Sequence, residues 1–241
     1  MKKLLAIGDS FTYGEELPDV NAAWPYVLGR KLGYQVVNCG VSGSANYRML
    51  RCLIEQDLSQ FALVVIAWSH FDRIEMSDEV GIYQTWPGGE RKRQVSEAPW
   101  RKTVINYVSR HHDDDYLYRQ YLIYIILAQS HLIACNKPYI MLDAFGNHLD
   151  SRRNNLQNLD LVQQINIDRF LGWPNESMME WTKNCPTGAA AADVTTGFGG
   201  HFLDEGHQIV AEKIFKHLDN NLNTLYNNTM AIHCLNIGDY D

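Results

Sequence analysis

The sequence lacks the cysteine pattern of a disulfide-bonded secreted domain or of a zinc site. Its 241 residues include five cysteines, which are an odd number, lie far apart and form no C-x-x-C pair. Such thiols are typical of a reducing compartment, where they stay reduced and mostly buried. We therefore expect no disulfide framework in this chain.

The sequence also lacks a long apolar run. No segment approaches the roughly 20 apolar residues that a membrane-spanning helix needs. The start, MKKLLAIGDS, resembles a signal peptide, but its apolar part is only LLAI, whereas a signal peptide needs roughly 7–15 apolar residues. We expect a cytoplasmic protein without membrane contact, or one that leaves the cell by a route the sequence does not encode.

An excess of basic residues is missing as well. Lysine and arginine total 21 against 28 acidic residues, which gives a formal net charge of -7. The one basic cluster, ERKRQ at 90–94, follows WPGG, and this context favours a solvated loop. A nucleic-acid-binding protein needs a basic face or stripe, so we expect no nucleic-acid partner.

What the chain does contain is a series of short, continuously apolar runs. They lie at 3–8, 35–39, 62–68 and 138–143. Unbroken apolar runs of this length favour central strands of a parallel sheet that is covered on both faces. Helix-like periodicity falls between and after them, at 21–32, 46–58, 116–135 and 204–225. This alternation predicts a doubly wound, three-layer α/β/α sandwich.

The length of the chain suits one sizeable domain, which we place at residues 1–225. Two connections, at about 72–112 and 146–200, are too long for ordinary loops and predict lids, pocket walls or contact surfaces. The second includes a weak helical pattern near 159–171. Residues 226–241 have no clear pattern and form a predicted C-terminal tail.

Small and polar residues follow each predicted strand. The four stretches are GDSFTYG (8–14), NCGVSGSAN (38–46), WSHFDR (68–73) and DAFGNH (143–148). In an open parallel sheet, ligands bind outside the carboxyl ends of the strands. We therefore expect the four stretches to converge on one rim of the sheet and to form a site there.

Three stretches resemble, in order, the sequence blocks of the SGNH (GDSL-type) hydrolase superfamily. GDSFTYG resembles the first block, NCGVSGSAN the second, and GGHFLDEGHQIVAEKI (199–214) the last. The resemblance implies the SGNH hydrolase fold, with a mostly parallel, flavodoxin-like central sheet. It also implies an esterase that needs neither a metal nor an organic cofactor.

The resemblance assigns the nucleophile to Ser10 and an oxyanion-hole N–H to Gly43. The residues agree with it, because a serine at a strand-to-helix turn can expose its hydroxyl. That hydroxyl becomes nucleophilic when a base takes its proton. A tetrahedral oxyanion needs fixed N–H donors, which the Ser10 and Gly43 amides can provide.

The third block departs from the family pattern G-x-N-D. Phe71 falls where the family has an asparagine that completes the oxyanion hole, and phenylalanine donates no hydrogen bond. We expect either that Ser69, His70 or Arg73 takes this role, or that the hole has two backbone donors.

Further candidate substrate-binding residues lie beside these positions. We expect Asp9 to hold the N–H groups of the turn at the nucleophile, and Asn46 ends the second block. Asp72 and Arg73 either line the pocket or form a local ion pair.

Two histidines compete for the role of general base. Asp204 and His207 have the family's D-x-x-H spacing, but the form H-P-x-x-x-G-H places the base at His201. Asp204 suits a helix N-cap, so His207 would lie in the first turn, where the helix dipole disfavours an imidazolium. We therefore favour His201, from a glycine-rich stretch that can deliver its side chain to Ser10.

The choice of base decides which acid orients it. For His201, the family's acid position holds Phe198, so Asp193 or a backbone carbonyl would orient the ring. For His207, Asp204 supplies the acid directly. The run His111–Asp115 (HHDDD) resembles a metal site, but we favour a solvated helix start there, because consecutive residues point in different directions.

The resemblance implies a carboxylic ester as substrate, often an acetyl group on a carbohydrate and sometimes a lipid or thioester. The alternative is a degenerate, non-catalytic member that binds a ligand or a partner. The missing third-block asparagine and the displaced acid favour this alternative, whereas the first block and both histidines argue against it.

Overall fold

The computed structural model contains seven short strands within the residues that it describes. It describes residues 1–77, 82–85, 103, 106–108, 110–111, 113–146, 159–187 and 200–227. The strands are β1 (Lys3–Ile7), β2 (Gln35–Asn38), β3 (Leu63–Trp68), β4 (Ile74–Ser77), β5 (Ile82–Thr85), β6 (Tyr139–Asp143) and β7 (Phe170–Leu171). Five of them form one parallel sheet in the order β2-β1-β3-β6-β7, and β4 and β5 form a separate antiparallel hairpin.

Helices fill the connections between the strands. They are α1 (Ser10–Tyr13), α2 (Trp24–Leu32), α3 (Asn46–Glu55), α4 (Asp114–Ala134), α5 (Leu159–Val162), α6 (Met178–Thr182) and α7 (Asp204–Asn227). Short 3₁₀ turns lie at Val20–Ala22, Leu58–Gln60 and Ile167–Arg169. The strand order and the helices that flank the sheet confirm the predicted α/β/α sandwich with a flavodoxin-like sheet.

Both faces of the sheet are buried, which explains the unbroken apolar runs. On β3, Val64 and Ile66 pack with residues of α3 and α4. Their neighbours Leu63 and Val65 pack with residues of α2 and α7. Successive side chains of a strand point to opposite faces, so a strand between two helical layers needs apolar residues at every position.

The chain around residue 165 differs from its predicted form. The sequence predicts a weak helix near 159–171, but α5 ends at Val162 and a short strand follows. Phe170 is buried and lies opposite Met141, so β7 extends the sheet parallel to β6. Burial of this aromatic side chain against the sheet outweighs the local helical preference, which is only a weak bias. The prediction of one domain with two insertions stays a prediction, and residues 228–241 of the predicted tail lie outside the described residues.

The helices of the described ranges include none that is both long enough and apolar enough to cross a membrane.

The loop after β2 packs directly against α1. The Asn38 side-chain amide donates to the Thr12 carbonyl (2.9 Å), and its oxygen accepts from the Gly40 N–H (2.9 Å). A Cβ at Gly40 would lie only 2.4 Å from the backbone nitrogen of Tyr13. The absence of a side chain at Gly40 therefore sets how closely this loop approaches α1.

Replacing Gly40 with alanine should separate the loop from α1. Backbone atoms cannot yield as a flexible side chain does, so Gly40→Ala should cost about 1–3 kcal/mol of unfolding free energy, the usual range for an overpacked site. Urea unfolding measures the loss. Val41→Ala is the control, because Val41 is exposed and should change stability by less than about 0.5 kcal/mol. Equal stability of the two variants would contradict the close packing of this loop.

Candidate active site

Ser10 occupies the first position of α1, immediately beyond β1. Asp9 is the N-cap, and its Oδ1 accepts from the Phe11 N–H (3.0 Å). Gly14, with φ of 93°, ends the helix after one turn. The first N–H groups of a helix have no partner within it, so the fold leaves the Ser10 amide available beside its own hydroxyl.

Asp9 is completely buried and is held by side chains that follow β3. Its Oδ2 accepts from Ser69 Oγ (2.7 Å) and from Arg73 Nη1 (3.2 Å). The Arg73 guanidinium also lies over the Phe145 ring, 4.9 Å from its centroid. A buried carboxylate is tolerated when it is paired and hydrogen-bonded. The predicted residues Asp9, Ser69 and Arg73 therefore meet in one cluster that joins the ends of β1 and β3.

The imidazole of His201 contacts the hydroxyl of Ser10. His201 Nε2 lies 2.8 Å from Ser10 Oγ, although the residues are 191 positions apart. The ring centroid of Phe11 lies 4.9 Å from that of His201 and 4.9 Å from that of Phe202. Packing on Phe11 thus fixes the loop before α7 against the turn that carries Ser10.

His207 lies elsewhere and has a different environment. Its Nδ1 accepts from the Trp24 N–H (3.1 Å) at the start of α2, where the N-cap Ala23 has no side-chain oxygen to do so. Burial, helped by the nearby His201, lowers the pKa of His207 to about 3. His207 is therefore a neutral, buried cap of α2, whereas His201 is the histidine in contact with Ser10.

Of the two acids considered from the sequence, Asp193 for His201 and Asp204 for His207, only Asp204 is among the described residues. Asp204 is exposed at the first turn of α7 and makes no ion pair with a histidine within the described ranges. Asp193 and Phe198 lie outside the described residues, as does His148 at the end of the fourth stretch. The role predicted for Asp193 stays a prediction.

A carboxylate that the sequence analysis missed lies beside His201. Glu16 Oε2 accepts from the His201 backbone N–H (2.9 Å) and lies 3.4 Å from the ring nitrogen Nδ1. That nitrogen is buried and forms no hydrogen bond of good geometry with a described residue, although Glu16 is within ion-pairing distance. The only sequence signal was the pair Glu15–Glu16 directly after the nucleophile turn, and nothing in it distinguishes the two glutamates.

Gly43 lies at a tight turn in the loop after β2. The Ser44 N–H donates to the Val41 carbonyl (3.0 Å), and Gly43 has φ of 72°, which suits glycine. Within the described part of the chain, the N–H groups of Ser10 and Gly43 donate to no acceptor. Two unused amides are what a developing oxyanion requires.

The residues of the third block have structural partners. Phe71 is buried in the core, with its ring 6.0 Å from that of Tyr118. Asn46 holds the loop after β3, since its Oδ1 accepts from the Ser69 N–H (2.8 Å) and its amide donates to the Ser69 and His70 carbonyls (both 3.2 Å). Asn46 therefore fixes the loop that carries Ser69.

Asp72 and Arg73, for which the sequence left a pocket role or a local ion pair open, contact different partners. His70 Nδ1 lies 2.6 Å from Asp72 Oδ1, whereas Arg73 pairs with Asp9. The two side chains follow each other in a tight turn and point to different neighbours. His70 and Asp72 thus form a partly exposed pair.

The histidine–aspartate run before α4 forms a helix start, as expected. Asp113 accepts from the Tyr116 N–H (3.1 Å) as the N-cap, and Asp114 and Asp115 occupy the first turn. In the ranges described, no three His, Cys, Asp or Glu side chains form a group that could hold a metal ion. His112 lies outside these ranges.

Comparisons with known proteins first give the class of fold. The structure resembles the psychrotrophic esterase EstA from Pseudoalteromonas (TM-score 0.52, 14% identity, 92% of this chain and 100% of that one). It also resembles a carbohydrate esterase family 2 enzyme from Corynascus thermopiles, with a TM-score of 0.51 and 12% identity over 92% of this chain and 67% of that one. A third similar structure is a mutant of an acetyl-xylooligosaccharide esterase from Geobacillus Stearmophilus, with a TM-score of 0.50 and 19% identity over 90% of this chain and 94% of that one. The chain therefore shares an α/β fold with esterases.

The chain belongs to a family of unknown function (DUF6071), whose model matches residues 14–225. Gly43, His201 and Glu16 lie inside the matched region, and Ser10 lies just before it. A search of curated proteins gives no match.

Removing the titratable ring of His207 should flatten the pH dependence of stability. An unfolded histidine takes up a proton near pH 6.5, whereas native His207 stays neutral down to about pH 3. Below pH 6.5 the unfolded state thus binds one proton that the folded state does not. As the pH falls, the free energy of unfolding therefore decreases by at most about 1.4 kcal/mol per pH unit. His207→Gln keeps an acceptor for the Trp24 N–H but has no such proton.

Urea unfolding of wild type and His207→Gln at pH 7 and pH 5 measures this effect. The wild type should lose up to about 2 kcal/mol more than the variant between the two pH values. Parallel losses would show that His207 is not held neutral in the folded protein.

Proposed function

We propose that this protein is an SGNH-type serine hydrolase that cleaves carboxylic esters. The observation that carries the proposal is the 2.8 Å contact between Ser10 Oγ and His201 Nε2. A serine that is buried at a helix start, with a histidine nitrogen at hydrogen-bond distance, is the arrangement of an activated nucleophile. Its location beyond the carboxyl end of β1 agrees with where α/β folds bind ligands.

In the proposed reaction, Ser10 Oγ attacks the ester carbonyl carbon while His201 Nε2 takes the hydroxyl proton. The amides of Ser10 and Gly43 donate hydrogen bonds to the resulting oxyanion. The intermediate then collapses, His201 gives its proton to the leaving alcohol, and an acyl-serine remains. Water, deprotonated by His201, then attacks the acyl-serine. The second intermediate collapses, His201 returns the proton to Ser10 Oγ, and the carboxylic acid is released.

The oxyanion hole of this proposal has two backbone donors. Phe71 is in the core. Ser69 Oγ and Arg73 donate to Asp9, and the ring of His70 contacts Asp72, so the proposal gives the role of a third donor to none of these side chains. Loss of one donor typically costs roughly 100- to 1,000-fold in rate. We therefore expect slower turnover than a three-donor site would give.

The substrate class rests on the sequence resemblance. The neighbouring structures include esterases named for acetylated xylooligosaccharides and for carbohydrates, and acetyl groups on carbohydrates are the substrate that we propose to test first.

Labelling with a fluorophosphonate tests the nucleophile without knowledge of the substrate. Ser10 Oγ should attack phosphorus and expel fluoride, so the wild type should be labelled and Ser10→Ala should not. Hydrolysis of p-nitrophenyl acetate and butyrate should fall by about 10⁵-fold in Ser10→Ala and in His201→Gln. Intact-mass measurement and release of p-nitrophenol report the two results.

His207→Gln is the matched control for His201→Gln, because it makes the same change six residues away. It should retain the labelling and turnover of the wild type at neutral pH. An unlabelled Ser10 in folded wild-type protein would contradict the hydrolase proposal and favour the binding-protein alternative. Loss of labelling in His207→Gln but not in His201→Gln would reverse the assignment of the base.

A further inference from the structure

The ring nitrogen of His201 that faces away from Ser10 lies next to a single carboxylate among the described residues. Within the described ranges, His201 Nδ1 is buried without a hydrogen bond of good geometry, and Glu16 Oε2 is 3.4 Å away. Both side chains are mostly buried, with 22% and 13% of their surfaces exposed. The pair is therefore shielded from much of the solvent that would weaken it.

The proposed reaction, and not the 2.8 Å contact with Ser10, sets the tautomer of the His201 ring. To take the hydroxyl proton of Ser10, Nε2 must be the unprotonated nitrogen, so in the neutral ring the proton is on Nδ1. This Nδ1–H points to the side on which Glu16 lies. When Nε2 takes the serine proton, the ring becomes a cation and its attraction to a carboxylate at this distance increases.

The backbone of Glu16 adopts a conformation that is unusual for glutamate. Its φ is 67°, in the left-handed region that residues other than glycine seldom occupy. Such a conformation is strained and persists where surrounding contacts hold it. Two contacts do so here: the Glu15 N–H donates to the Ser10 carbonyl (3.0 Å), and the Glu16 carboxylate accepts the His201 backbone N–H (2.9 Å).

We propose that Glu16 is the positioning residue that orients His201 and stabilises its charged form, so that the relay is Ser10–His201–Glu16. The acid then comes from the turn that also carries the nucleophile, not from the segment before the last helix. This inference rests on the proposed hydrolase function. It assigns to Glu16 the role for which the sequence offered Asp193 and Asp204.

Glu16→Gln removes the charge while the amide oxygen can still accept the His201 backbone N–H. We expect its kcat on p-nitrophenyl acetate to fall by at least about 100-fold, with KM changed by less than about 2-fold, because the lost interaction strengthens in the transition state. Fluorophosphonate labelling of Ser10 should slow by a similar factor. Glu15→Gln is the matched control and should behave as the wild type.

Two further measurements separate positioning from a loss of structure. Glu16→Gly accommodates the positive φ, so it should fold, lose activity as Glu16→Gln does, and regain part of it in added sodium formate. Proton NMR of ¹⁵N-histidine-labelled protein should show the His201 Nδ1–H at low field in the wild type. In Glu16→Gln that signal should move upfield or exchange away, and in Glu15→Gln it should not change.

The outcomes distinguish this inference from the proposed function. If the wild type is labelled and Glu16→Gln is labelled at the same rate, the role of Glu16 is wrong and the hydrolase proposal stands. If the wild type is not labelled, the hydrolase proposal fails. In that case an Nδ1–H signal that depends on Glu16 still supports the orienting contact, and a signal identical in Glu16→Gln overturns it.

Discussion

The buried carboxylate of Asp9 is the interaction on which the geometry of the site depends. One of its oxygens caps α1 and so fixes the turn that carries Ser10, while the other accepts from Ser69 and Arg73 beyond β3. A buried charge without these partners would be costly, and breaking such a network typically costs several kcal/mol. The ends of β1 and β3 are therefore held in one arrangement. The residue before the candidate nucleophile thus holds the turn that carries Ser10.

The second constraint is the contact between the first turn and the end of the chain's last loop. His201 and His207 are six residues apart, and the same segment delivers both to the N-terminal part of the fold. His207 docks on the start of α2 through the Trp24 N–H and stays neutral because it is buried. His201 lies in the loop directly before α7, where its ring contacts Ser10 and is partly exposed. One segment thus supplies a structural anchor and a candidate base, and its two histidines differ in burial.

Much of the fold was predictable, because its signals are local and repeated. Unbroken apolar runs predicted the central strands, and the turn residues after these runs indicated which edge of the sheet carries the site. The short strand Phe170–Leu171 was not predictable, because its pairing with β6 depends on contacts between residues far apart in the sequence. In the site, Ser10, Gly43 and the preference for His201 came from recognisable blocks, and the structure brings Ser10 and His201 together. Glu16 could not be predicted, because its position depends on a left-handed backbone turn and on a loop nearly two hundred residues away.

The location of Glu16 has a consequence for how the site is assembled. When acid and base share one segment, as D-x-x-H implies, that segment sets the orientation of the imidazole. Here the carboxylate follows the nucleophile by six residues, and it also accepts the backbone N–H of His201. The turn after β1 therefore fixes the hydroxyl, the backbone of the histidine and the carboxylate beside its ring. The strained φ of Glu16 belongs to the same turn, so relieving that strain would move the carboxylate and the His201 loop together.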